Sequence, residues 1–176
     1  LRYAITYGGH SLPKPLPVHF PAGGRQIWEQ MVAPFDESGG AFSAPFEISE
    51  YEEGRVYHLG AFNIRYSRLP HYTPNYGVEV HGNDKLVYSG DTGPSPKLAT
   101  LARQADLFLC EATWREGAAP PGERGHLTAE EAGTMARQAG VRQLVLTHLL
   151  PDMDARKSLE AARAAFGGSW QSHAFA

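Results

Sequence analysis

With one cysteine among 176 residues the chain can form no internal disulfide, which suits a reducing compartment such as the cytoplasm. No apolar stretch approaches membrane-spanning length, and no basic-then-apolar leader opens the sequence, so no membrane role is expected. Basic excess is missing too: a net charge of −3 gives no bulk attraction for nucleic acid or an anionic surface. A local cluster can still hold a single phosphate. Internal repeats, low-complexity tracts and a dividing linker are absent, so one domain over 1–176 is expected, with 42% hydrophobic residues to build its core. An initiator Met is absent as well. Leu1 to Tyr7 reads as the tail of a helix closed by Gly8-Gly9, and the chain is expected to begin inside a longer protein.

What is present is a repeated placement. Four apolar runs that read as buried strands each lead to a residue able to hold a metal or move a proton. Ile64 to Leu69 leads to His71, and Leu86-Val87-Tyr88 leads through Ser89-Gly90 to Asp91. Leu107 to Cys110 leads to Glu111, and Leu144-Val145-Leu146 leads through Thr147 to His148. In α/β folds the carboxyl ends of strands face the crevice where ligands bind, so this placement gathers residues distant in sequence. His126 lies between the last two. Imidazoles and a carboxylate without a thiolate suit zinc, manganese or iron in a hydrolytic site. Cys110 closes an apolar run and reads as a small buried thiol.

Pro13, Pro15 and Pro17 make an extended lead into a short strand at Val18 to Phe20. A helix over Arg25 to Val32 follows, with Ile27, Trp28 and Met31 expected inward and Pro34 as its stop. Gly39-Gly40 marks a turn. Phe46–Tyr51, Arg55–Leu59, Phe62–Tyr66, Gly77–Val80 and Lys85–Tyr88 read as strands, the last two joined by the turn His81-Gly82-Asn83-Asp84. Beyond Asp91 strand and helix alternate. Ser95-Pro96 is an N-cap followed by a first-turn proline, with Leu98 and Leu101 facing inward. Thr128 to Glu131 is a capping box, opening a helix with Ala132, Met135, Ala136 and Ala139 as its apolar stripe and Gly140 as its end. A last helix from about Asp154 to Phe166 and a strand from Ser169 to Phe175 close the chain. A mixed sheet with helices packed outside is the expected α/β architecture.

The ordered set of His71, Ser89-Gly90-Asp91-Thr92-Gly93, Cys110-Glu111-Ala112-Thr113, Gly125-His126-Leu127-Thr128 and Leu146-Thr147-His148-Leu149 resembles the metallo-β-lactamase superfamily, on its ribonuclease Z-like branch. Each motif alone is weak evidence; the order of all of them is specific. The resemblance implies a four-layer αββα sandwich with two divalent metals between the sheets, zinc first and manganese or iron as alternatives. It makes His71 a ligand of the first metal, Asp91 the bridging carboxylate and His148 a ligand of the second. His126 matches the loop histidine that stabilises or protonates the departing phosphate oxygen, and Glu111 the acid that orients it. The implied reaction is attack on a phosphodiester by a metal-bound hydroxide.

Two departures from that pattern shape the expectation. The family's H-x-H-x-D-H loop is absent, because none of the eight histidines has another two positions away. The chain is therefore expected to be an N-terminally incomplete domain, metal-free or weakly metal-binding alone, and to pair with a missing N-terminal segment or with a second copy. Secondly, His71 and Asp91 stand only 20 positions apart, which leaves room for a hairpin and no more. With no basic tRNA-gripping arm visible, ribonuclease Z itself and nucleic-acid substrates are disfavoured. A small phosphodiester such as a cyclic nucleotide is the expected substrate. The competing readings are an inactive fragment or degenerate member serving as a binding or assembly module, and a lactone or thioester hydrolase on the same scaffold. Read singly, His148 caps a strand, Asp91 is an ordinary turn residue beside Gly, and His126 is a loop residue before a helix. His10, His19, His58, His81 and His173 read as structural or surface histidines.

Overall fold

The computed structural model describes residues 15–36, 44–115 and 117–167. The turn expected at Gly39-Gly40, the helix tail before Gly8 and the strand expected from Ser169 lie outside these residues, as do His10 and His173. Two compact units divide at Glu52/Glu53.

In the first unit, strand β1 (Leu16–Phe20) pairs in parallel with β2 (Phe46–Glu50). Helix α1 (Gly24–Val32) lies between them in sequence. Its Trp28 ring packs 6.0 Å from Phe20 and edge-on, at 6.1 Å, to Phe46. The other two residues expected inward do not follow: Ile27 is 59% and Met31 65% exposed. Of the three, Trp28 is the one that packs on the rings of the two-stranded sheet. Pro34 does not stop the chain abruptly either, because a 3-10 turn, Ala33–Phe35, carries on from the helix.

The second unit is a six-stranded mixed sheet in the order β3-β4-β5-β6-β7-β8. Its strands are β3 (Val56–Leu59), β4 (Phe62–Leu69), β5 (Asn75–His81), β6 (Lys85–Tyr88), β7 (Leu107–Glu111) and β8 (Gln143–Thr147). Pairing is antiparallel from β3 to β6 and parallel from β6 to β8. Strands β4 and β5 are longer than the apolar pattern suggests, because polar residues such as Arg68 and Asn75 extend the ladder.

One face of this sheet carries the core. Val87, Phe108 and Leu144 stand in register across three strands, and each is fully buried. They join Leu98 and Leu101 of α2 (Pro96–Leu101), Ala132, Met135, Ala136 and Ala139 of α3 (Ala129–Ala139), and Ala162 and Phe166 of α4 (Ala155–Phe166). The caps form as their residue types dictate. Ser95 accepts from Lys97 N–H, and Thr128 and Glu131 close a reciprocal capping box. Gly140 ends α3 at a φ of 65°. Among the described residues no helix is long and apolar enough to cross a membrane.

At the far end of β5 a buried carboxylate sits within the ladder. Glu79 is 6% exposed and is met by His81 Nε2 at 2.8 Å, Lys85 Nζ at 3.0 Å and Arg65 at 3.4 Å. His81 is thus the last residue of β5 and a hydrogen-bond partner of Glu79, not part of the turn. Burial acts to raise the Glu79 pKa, but hydrogen bonds from His81 and Lys85 outweigh it, and the net direction is down. A lowered folded pKa means the contribution is present above the unfolded value and is lost as pH falls through the folded one. Glu79→Gln should therefore cost about 1–3 kcal/mol in urea unfolding at pH 7. The gap between variant and wild type should shrink below about pH 4.

Candidate active site

Topology alone brings the four strand ends to one edge. Strands β4 and β6 are both antiparallel to β5, so they run the same way, and β7 and β8 run parallel to β6. The carboxyl ends of β4, β6, β7 and β8 therefore share an edge of the sheet, and His71, Asp91, Glu111 and His148 sit there.

Glu111 ends β7 with no solvent exposure. Its Oε1 accepts from Thr92 N–H at 2.7 Å and from His126 Nδ1 at 2.9 Å, and its Oε2 accepts from Thr113 N–H at 3.0 Å. Ser89 Oγ accepts from the Glu111 N–H at 3.0 Å and donates to the Gly90 carbonyl at 2.6 Å. The turn after β6, which carries Asp91, is thereby bonded to the end of β7 at two points. A third tie joins it to the end of β4, where Gly93 N–H donates to the Pro70 carbonyl at 2.9 Å. The neighbouring Cys110 thiol is fully buried. Burial pushes its pKa well up, and the Glu111 charge adds to the effect.

His148 follows β8 in the left-handed region, with φ at 57°, which an ordinary side chain adopts only when its surroundings demand it. Thr113 is part of those surroundings. Its hydroxyl donates to the His148 carbonyl at 3.2 Å and lies 2.8 Å from His148 Nδ1. One hydroxyl hydrogen cannot serve both, so Nδ1 carries the proton toward Thr113 and Nε2 keeps a free lone pair. Asp91 Oδ1 stands 3.2 Å from the same Nδ1.

His126 is held from both sides in sequence. Arg124 forms an ion pair with Glu131 of the capping box, and Leu127 is fully buried, its carbonyl bonded to Trp114 N–H at 2.8 Å. The His126 ring lies 5.4 Å from His148 and 4.9 Å, edge-on, from His71. His71 Nδ1 accepts from Thr73 N–H at 3.3 Å. All five residues singled out in the sequence thus meet in one cluster. The tightest donor set is Glu111, His126 and His148, whose potential ligand atoms lie within 4.8 Å of one another. Both oxygens of Glu111 are already taken by N–H donors, which suits it to fixing its neighbours.

Thr113, Ser89 and Gly93 do as much positioning as the residues named from sequence. Thr113 closes the Cys110-Glu111-Ala112-Thr113 motif, two positions past Glu111 and beyond a strand end, and the motif marks its place without its role. Gly93 is required by close approach: a Cβ there would lie 1.7 Å from the Arg124 carbonyl oxygen.

The family model described as Beta-lactamase superfamily domain matches residues 14–149. A Mycobacterium leprae protein of uncharacterised role is 40% identical over 125 residues, 70% of this chain and 44% of that protein. Ribonuclease Z of Ignicoccus hospitalis is 38% identical over 120 residues, 67% of this chain and 35% of that enzyme. The chain spans about half the length of the mycobacterial relatives it matches, 44% in one and 55% in another. Among solved structures, the metallo-β-lactamase fold protein YhfI from Bacillus subtilis superposes with a TM-score of 0.80 at 19% identity, covering 98% of this chain and 66% of that one.

Because Gly93 meets backbone, which cannot swing aside, Gly93→Ala should destabilise the protein by at least about 3 kcal/mol. At Gly125→Ala the nearest atoms met belong to the Tyr72 and His71 side chains, which can shift, and the cost should be less. Thermal unfolding of both variants measures the difference, and equal losses would contradict the close loop packing.

Proposed function

The chain belongs to the β-lactamase superfamily domain family, and from that premise we propose that the complete protein is a metal-dependent phosphodiesterase acting on a small diester such as a cyclic nucleotide. The observation that carries this reading is the His126–Glu111 pair, with Nδ1 to Oε1 at 2.9 Å, set beside the rings of His71 and His148. A ring fixed through Nδ1 has Nε2 as the atom that meets substrate. Placed there, Nε2 can deliver a proton to the departing oxygen of a phosphodiester. A lactone or thioester hydrolase has less need of such a donor.

The donors fit a divalent metal by their chemistry. His148 keeps the Nε2 lone pair free because Thr113 takes Nδ1–H, and a ligating histidine ordinarily donates its other N–H in this way. Asp91 Oδ1 stands on the Nδ1 side of this ring, at 3.2 Å, so sharing an ion with Nε2 would require one of the two side chains to turn. His71, Asp91 and His148 would hold two cations as part of a larger ligand set, zinc first and manganese or iron otherwise. His71 would bind through Nε2 with its Nδ1–H turned to Thr73 Oγ1, 3.1 Å away, in place of the bond it accepts from Thr73 N–H. The chemistry supplied by such cations is activation of water near neutral pH and neutralisation of charge on the phosphate. Within this chain, Asp91 is the carboxylate suited to lie between two ions, and Glu111 holds the His126 ring at a set angle.

The small-substrate reading rests on the strand connections. Between His71 and Asp91 the chain forms only β5, a three-residue turn and β6, leaving no arm to grip a folded RNA. The relative named ribonuclease Z supports phosphodiester chemistry and is compatible with a different substrate here. The buried Cys110 thiol and the single-cysteine composition support a cytoplasmic setting.

The complete protein, supplied with zinc or manganese, should convert a cyclic nucleotide to the nucleoside monophosphate and lose activity with a chelator. His126→Ala should lower kcat by about 10²–10⁴-fold with KM and metal content little changed. A preparation that cleaves a lactone or thioester, with His126→Ala as active as wild type, would contradict the reading. Thr113→Val should weaken metal binding by about 10–100-fold in titrations that follow the ion directly.

A further inference from the structure

The site described above leaves one neighbouring side chain unexplained. Tyr72 is 68% exposed, too open to contribute much to any core, yet it stands at the site itself. Its ring centroid lies 5.3 Å from His71 and 5.9 Å from His126. An exposed aromatic on an ordinary surface needs no account. An exposed aromatic against two site histidines does.

The ring is also held in place. Gly125 is buried beside it, and a Cβ at that position would fall 2.7 Å from Tyr72 Cε2 and 2.8 Å from Cδ2. The missing side chain at 125 is therefore the seat of the ring. Tyr72 lies on the short connection between β4 and β5, with Pro70 and Pro74 restricting the backbone on both sides. The histidines and Gly125 leave much of the ring open to solvent.

We propose that Tyr72 is a stacking platform for the nucleobase of the substrate, and that it gives the site its preference for nucleotide diesters over diesters without an aromatic group. The inference rests on the phosphodiesterase reading and extends it from reaction type to substrate class. A flat, rigid ring with two rotatable side-chain bonds loses little entropy when a base lands on it. Base–aromatic stacking of this kind is worth about 10-fold to 100-fold in affinity per base. It also tolerates any base, because every base has a π-face, so purine and pyrimidine nucleotides are both accepted.

Binding separates this inference from the reaction on which it rests. Affinities of adenosine 5′-monophosphate and ribose 5-phosphate are measured calorimetrically on the complete, metal-loaded protein, for wild type, Tyr72→Phe and Tyr72→Ala. Because the readout is the ratio of the two affinities within one variant, any general loss of folded protein or metal cancels. Wild type and Tyr72→Phe should prefer the nucleotide by about 10-fold or more, and Tyr72→Ala should bring the ratio to near one. A ratio that survives in Tyr72→Ala, or a wild type with no preference, overturns the platform. Turnover of a cyclic nucleotide on the same wild-type sample reports separately on the reaction. A Tyr72-dependent preference without turnover supports the platform while removing the proposed activity.

Discussion

The buried carboxylate of Glu111 is the interaction on which the site depends. A carboxylate taken out of water is costly unless its oxygens are satisfied, and here Thr92 N–H, Thr113 N–H and His126 Nδ1 all converge on it. Those donors come from three separate segments: the turn after β6, the chain just past β7 and the loop before α3. One side chain thus clasps the segments that carry Asp91, Thr113 and His126. Thr113 passes the constraint on to His148. Releasing any one donor would leave the buried carboxylate less fully satisfied, so the four segments hold one arrangement together.

The sheet makes that clasp possible. A hairpin array of β3 to β6 followed by parallel β7 and β8 sends four strands toward the same edge, so residues as far apart as His71 and His148 meet without a long-range loop. The parallel strands carry the fully buried row Val87, Phe108 and Leu144 in register across them. Stability is concentrated in that row and its helices. The candidate site residues gather at the strand ends, where Gly93 lets the Arg124 backbone approach and Gly90 makes room for the Asn75 side chain.

Much of this was legible in the residues themselves. Apolar runs ending in His, Asp, Glu or His predict strands with chemistry at their carboxyl ends, and Ser95-Pro96 and Thr128-to-Glu131 predict helix starts through cap hydrogen bonds that form as read. The mixed sheet followed from hairpins in the middle of the chain and alternation after Asp91. What could not be read depends on contacts between distant segments. Ile27 and Met31 fit an inward helical face, but both are exposed and only Trp28 of the three packs on rings of the two-stranded sheet. Thr113 and Gly93 stand inside the motifs but their roles do not, and Tyr72 has no motif at all, since the importance of each arises from a neighbour's carbonyl, imidazole or missing Cβ. His81 reads as a turn residue because its hydrogen bond with Glu79 is visible only once the strand's length is known.

The central claim is that Glu111 holds His126 while the ends of β4, β6 and β8 hold metal. Anomalous scattering from crystals of the complete protein grown with zinc tests it most directly. The account predicts an ion at about 2.0–2.2 Å from a His148 nitrogen and an Asp91 oxygen, with Glu111 still bonded to His126. An ion ligated by Glu111, with its bond to His126 broken, would contradict it.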